Sequence, residues 1–79
     1  MYTLYVLTGC QYCAKVKQAI ARLNLAVEEK NIADSTAAEE VENLGGQLQA
    51  PYLYDHDAKM GLYGSEQIIR YLEEHATKA

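Results

Sequence analysis

Residues 2 to 32 change their hydrophobic period twice, and this change limits the fold more than any other feature of the chain. Tyr2-Thr3-Leu4-Tyr5-Val6-Leu7 is an apolar run that reads as a strand. Val16, Ala19, Ile20 and Leu23 then recur at helical spacing, tracing one face of a helix from about Gln11 to Asn24, with Lys15, Lys17, Gln18 and Arg22 toward solvent. Val27-Glu28-Glu29-Lys30-Asn31-Ile32 is a second strand, short and charged. A strand–helix–strand start implies a parallel pair joined by a right-handed crossover.

The remainder continues the alternation. Asp34 or Ser35 can cap a second helix that carries Ala38, Val41 and Leu44 on its apolar face and stops at Gly45-Gly46. Pro51-Tyr52-Leu53-Tyr54 reads as a strand, residues 55 to 59 as a turn, and Met60-Gly61-Leu62-Tyr63 as the returning strand of a hairpin. Gly64-Ser65-Glu66 opens a last helix with Ile68, Ile69 and Leu72 on its buried side. The order is β-α-β-α-β-β-α. The hairpin adds antiparallel strands to the parallel pair, and helices must cover both faces of the sheet. No repeat or linker interrupts the pattern, so a single domain over residues 1–79 is expected.

The only two cysteines, Cys10 and Cys13, sit where the first strand passes into the first helix. A CxxC at such a junction places the first sulfur near free backbone N–H groups and the second about one turn later on the same face. This favours a thiolate at Cys10 and lets the pair close a disulfide. An unperturbed thiol would be only ~3% ionised at pH 7, and Lys15 and Lys17 are the cations available to help. A purely structural disulfide here would close so short a loop that it removes only roughly 2 kcal/mol of unfolded-state freedom. A structural zinc site would need two more ligands, and no second CxxC exists. Redox chemistry is therefore the reading the pair favours.

With 79 residues and 49% hydrophobic content, the chain can build one small core, its aromatic surface supplied by seven Tyr, with no Trp or Phe. A net charge of −4 with no basic cluster argues against nucleic acid as a partner. No run is long enough to span a membrane. No basic patch with a long apolar stretch opens the chain, and no disulfide framework is present, so a reducing cytoplasm is the expected location. His56, flanked by Asp55 and Asp57, reads as part of a polar hairpin turn, and His75 as a last-turn residue suited to the helix dipole. Glu39, Glu40 and Glu42 read as an exposed helix face.

Cys10-Gln11-Tyr12-Cys13, the lone Pro51 opening the third strand and Gly64-Ser65 opening the last helix together resemble the glutaredoxins. The run from Gly45 through Ala50-Pro51-Tyr52-Leu53, then Leu62-Tyr63-Gly64-Ser65 and Ile68-Ile69-Arg70-Tyr71-Leu72, is similar to the thioredoxin-like N-terminal module of glutathione transferases and to the glutaredoxins nearest them. The resemblance implies an α/β, thioredoxin-like (glutaredoxin) fold with a four-stranded mixed sheet flanked by three helices. It implies glutathione as cosubstrate, with glutathionylated or disulfide-containing proteins as partners. Cys10 would be the nucleophile and Cys13 the resolving thiol. Tyr12 would border the glutathione groove. Ala50–Pro51 would be a cis peptide, presenting the backbone of Ala50 to a bound cysteinyl residue as a short added strand. Ser65 would receive the γ-glutamyl carboxylate at a helix start, where a plain helix cap would use the same residue, and Glu66 would meet the γ-glutamyl ammonium.

The chain departs from that pattern in places. Gln11 replaces the Pro common between such cysteines, Ala50 a frequent Val, and Gly64 the Glu of transferase-like relatives. No basic residue lies between Thr8 and Cys10 to meet the glycine carboxylate, so weaker glutathione binding is expected. Gln11 also admits an alternative known in the family, a dimer around a two-iron two-sulfur cluster ligated by the first cysteine and glutathione, although no resident metal is expected. A thioredoxin-reductase-dependent redoxin would be separated by its electron donor. Transferases carry a further helical domain that forms the acceptor pocket, so conjugation is the lesser expectation for a chain ending at Ala79. Nothing in the sequence demands more than a monomer.

Overall fold

The computed structural model describes residues 1–76. Strand β1 (Tyr2–Val6) leads into helix α1 (Gln11–Arg22), then β2 (Val27–Asn31), α2 (Ser35–Gly45), the hairpin β3 (Tyr52–Asp55) and β4 (Met60–Tyr63), and α3 (Ser65–Tyr71), which runs on into a π-helical turn, Leu72–Ala76. The strands form one sheet in the order β2-β1-β3-β4. β1 and β2 are parallel, with Tyr2 beside Val27, and the other pairings are antiparallel, with Leu4 beside Leu53 and Leu53 beside Leu62. The expected element order and mixed sheet are present.

Strand alternation divides the core in two. Leu4, Val6 and Leu53 point to one face, where Cys13 and Val16 of α1 and Ile68 of α3 with Leu72 of the π-turn bury them. Val16, Ile68 and Leu72 are fully excluded from solvent, worth about 1.5–3 kcal/mol each in transfer free energy. Tyr5 and Tyr52 point to the other face, under Ala37 and Val41 of α2. Tyr5, Tyr52 and Tyr63 form a row across the sheet with ring centroids 5.9 Å and 4.6 Å apart. Tyr5 donates from its hydroxyl to Glu40 Oε1 at 2.7 Å, and Lys30 Nζ reaches the same oxygen at 2.9 Å.

Several sequence-based expectations are corrected here. The buried residues of α2 are Ala37 and Val41, whereas Leu44 is exposed. The last turn of α2 must bring Gly45 against the rings of Tyr63 and Tyr52, where a Cβ would lie 2.7 Å from Tyr63 Cζ and 3.0 Å from Tyr52 Cε1. That approach rotates Leu44 away from the core. Glu40 is half-buried and bonded, not a solvated face residue like Glu39 and Glu42. Asp55 closes β3 rather than lying in the turn. It is buried, and its carboxylate accepts from Tyr71 Oη at 2.6 Å and from the N–H groups of Asp57 and Ala58. α1 ends at Arg22, with Asn24 in the left-handed region (φ 56°). Asp34 rather than Ser35 caps α2, accepting from Thr36 N at 2.8 Å. Leu7 and Pro51 lie just outside their strands.

Candidate functional site

Cys10 is the N-cap of α1, in extended backbone (φ −81°, ψ 115°), and its sulfur accepts from Cys13 N–H at 3.2 Å. The thiol is lowered from its ordinary 9.0 by a hydrogen bond from the Cys13 thiol, opposed by partial burial, and by the N–H groups of Cys13 and Tyr12. The Cys13 sulfur is buried against the apolar core and goes the other way, pushed up to about 11 by burial and by its bond to Cys10. Both are free thiols. The motif thus separates two identical side chains into an accessible, acidified sulfur and a buried, protonated one.

The lysines do not take the part expected of them. The groups that lower the Cys10 thiol all belong to the motif. Lys17 acts on Cys13, and its ammonium lies 3.4 Å from Glu29 Oε2. Lys15 turns toward Tyr12, with Nζ 5.7 Å from the ring centroid.

Two cavities flank the first turn of α1. One, of about 450 Å³, is lined by Cys10 and Cys13 together with Leu7, Thr8, Lys17 and Asn31. The other, of about 360 Å³, brings together Tyr12, Ala50, Pro51, Ser65 and Glu66, which lie far apart in the sequence. The Ala50–Pro51 peptide is cis. Lys15, Gln49, Gly64 and Gln67 complete this groove. Lys15 and Gln67 carry no motif of their own, and their membership follows only from how α1, the loop before β3 and the start of α3 meet. The sulfurs line the first cavity and the five expected binding residues the second, with Tyr12 half exposed beside the divide.

Ser65 is not the helix cap. Gly64 holds that position with φ 90° and ψ 129°, a backbone that suits glycine, and it supplies no side-chain bond to the first turn. Ser65 is the first helical residue and is buried. A Glu in place of Gly64 would be strained on this backbone.

His56 Nε2 lies 2.7 Å from the buried Thr3 hydroxyl, and its ring meets Tyr54 edge-on, a structural setting. His75 stacks on Tyr71. Among the described residues no three His, Cys, Asp or Glu side chains form a metal-holding group, and no helix is long and apolar enough to cross a membrane.

The backbone superposes on solved structures throughout its length. The thioredoxin-like protein BC3987, in a mutant form, matches with a TM-score of 0.80 and 20% identity over 94% of this chain and 96% of its own. Glutathione S-transferase isozyme E7 of Drosophila melanogaster matches with a TM-score of 0.81 and 26% identity, over 100% of this chain and 36% of its own. A glutathione transferase homologue of Drosophila mojavensis, solved with bound glutathione, gives 0.80 and 25% identity over 98% and 36%. The fold is thioredoxin-like. The sequence pattern of the glutathione S-transferase N-terminal domain matches residues 4–78, and the chain belongs to that family. It spans a little over a third of the length of the transferases it matches. No curated protein sequence gives a significant match.

Proposed function

We propose that the protein is a glutathione-dependent thiol–disulfide oxidoreductase of glutaredoxin type. The observation that carries this reading is the asymmetry of the cysteine pair, with Cys10 accessible and acidified and Cys13 buried with its thiol pushed up to about 11. Cys10 thiolate attacks the glutathione sulfur of a mixed disulfide. A bond forms between the two sulfurs as the old disulfide breaks, and the partner thiol leaves as a thiolate that takes up a proton. A second glutathione thiolate then attacks the glutathione sulfur on Cys10, releasing oxidised glutathione and restoring the Cys10 thiolate. For a protein disulfide, Cys10 thiolate attacks one sulfur and joins to it as the other leaves as a thiolate that takes up a proton. Cys13 then loses its proton and attacks the Cys10 sulfur. The bond from Cys10 to the target breaks, the second target thiol is released, and the intramolecular disulfide left behind is reduced by two glutathiones. Exchange of this kind follows thiolate fraction, leaving-group acidity and access. In the groove, Tyr12 and Ala50-Pro51 would flank the cysteinyl part of glutathione, with Ser65 and Glu66 at its γ-glutamyl end.

Family membership supports a glutathione ligand. It also favours a second reading, a transferase-type module in which glutathione is the nucleophile toward an electrophile. Two assays separate them. Glutathione-dependent reduction of hydroxyethyl disulfide, coupled to glutathione reductase, is expected in the wild type, lost in Cys10→Ser and retained in Cys13→Ser. Absence of activity in the wild type, with conjugation of chlorodinitrobenzene, would replace the first reading with the second.

A further inference from the structure

We infer that Tyr63 is a positioning residue for the groove, its hydroxyl tying the loop before β3 to the end of β4 that leads into α3. This rests on the glutathione reading above. Tyr63 ends β4 and directly precedes Gly64 and Ser65, which belong to the α3 wall. Its ring is fixed on Tyr52 at 4.6 Å. From there the hydroxyl donates to the carbonyl oxygen of Gln47 at 2.6 Å and accepts from the N–H of the same residue at 3.1 Å. Gln47 lies just upstream of Gln49, Ala50 and Pro51, which line the same groove.

The segment from Gln47 to Gln49 has little else to fix it by burial, since Gln47, Leu48 and Gln49 are all exposed. Binding both backbone groups of one residue fixes its position and its rotation about the chain together, which a single bond would not do. Gly45 makes the arrangement possible, because a Cβ there would occupy the place of the Tyr63 hydroxyl. An extended ligand pairing with the backbone of Ala50 would gain from a wall already in place, so the effect belongs to binding rather than to sulfur chemistry.

The test compares wild type, Tyr63→Phe, Gly45→Ala and Tyr54→Phe in the hydroxyethyl disulfide assay, with thermal melts and amide NMR titrations with glutathione. Tyr63→Phe keeps the ring and removes the clamp. Its KM for the glutathione mixed disulfide is expected to rise roughly three- to tenfold, with kcat held within about twofold and glutathione-induced shifts at Gln49 and Ala50 weakened. Gly45→Ala, which displaces the hydroxyl from the other side, should move KM the same way. Tyr54, whose ring packs on His56, should be neutral as Phe. An active wild type with unchanged KM in both clamp variants would overturn the inference and leave the glutathione reading standing, as would a loss confined to kcat. A folded wild type that neither turns over nor shifts with glutathione would overturn both.

Discussion

On the α1/α3 face of the sheet the buried hydrophobic cluster is aliphatic apart from Cys13, whereas on the α2 face it is led by tyrosines, two of which, Tyr5 and Tyr63, have hydroxyls tied to a charge and to backbone. Each face suits what lies above it. The aliphatic face forms a dry seat under the first turn of α1, and that dryness keeps the Cys13 thiol protonated while Cys10 is acidified a few ångströms away. The tyrosine face anchors polar edges, through Tyr5 to Glu40 and through Tyr63 to the loop before β3. One face therefore governs the state of the sulfurs and the other the placement of the segments around them.

The largest way to break this contrast is to open the aliphatic face. Ile68→Ala should cost about 2–5 kcal/mol in urea unfolding, since Ile68 has no solvent exposure and leaves a cavity. On the tyrosine face Tyr5→Phe removes one hydroxyl without a void and should cost about 1 kcal/mol by the same measurement. It should also alter the acid limb of stability. Glu40 is held below its ordinary 4.5, first by the Tyr5 hydroxyl and then by Lys30, against partial desolvation. A carboxyl lowered on folding stabilises above its unfolded value, and that contribution drains as pH falls through the lowered value. Tyr5→Phe should therefore flatten the loss of stability below about pH 4.5.

Smaller in energy but more pointed is Cys13→Ala. It removes the bond that most lowers the Cys10 thiol, so the midpoint of Cys10 alkylation, below 9.0 in the wild type, should rise toward 9.0. A midpoint unmoved by that change would show that the backbone alone acidifies Cys10. The smallest effect is expected from Lys17→Gln, which should shift the same midpoint by less than about 0.3 pH units, its ammonium being exposed and paired with Glu29.

The strand and helix order and the helix-start position of Cys10 were legible in the sequence because each has a local signature. Tyr12, Ala50, Pro51, Ser65 and Glu66 were singled out by the family resemblance, and what the structure adds is that they line one groove. The register of α2 was not legible. Ala37 and Ala38 are chemically identical, and which of them is buried depends on how α2 seats on the sheet, with Val41 buried, Glu40 bonded to Tyr5 and Gly45 close to the Tyr63 ring. Lys15 has a plain solvent-face signature, and its turn toward Tyr12 becomes visible only when both sit on the first turns of α1. Gln67 carries no signal at all, since its place in the groove comes from the packing of distant segments. Asp55 read as turn punctuation because its partner, Tyr71, lies on the final helix.

The burial of Cys13 at 2% exposure has a consequence for how the pair meets the outside world. To a dissolved oxidant, alkylating agent or stray thiol the chain offers one reactive sulfur, because the second has almost no surface to collide with. A sulfur already joined to Cys10 stands in a different relation to Cys13, as a neighbour in the same turn rather than a solute. The second thiol is thus open only to partners that have first engaged its twin, and the order of events is written into the packing of a single side chain.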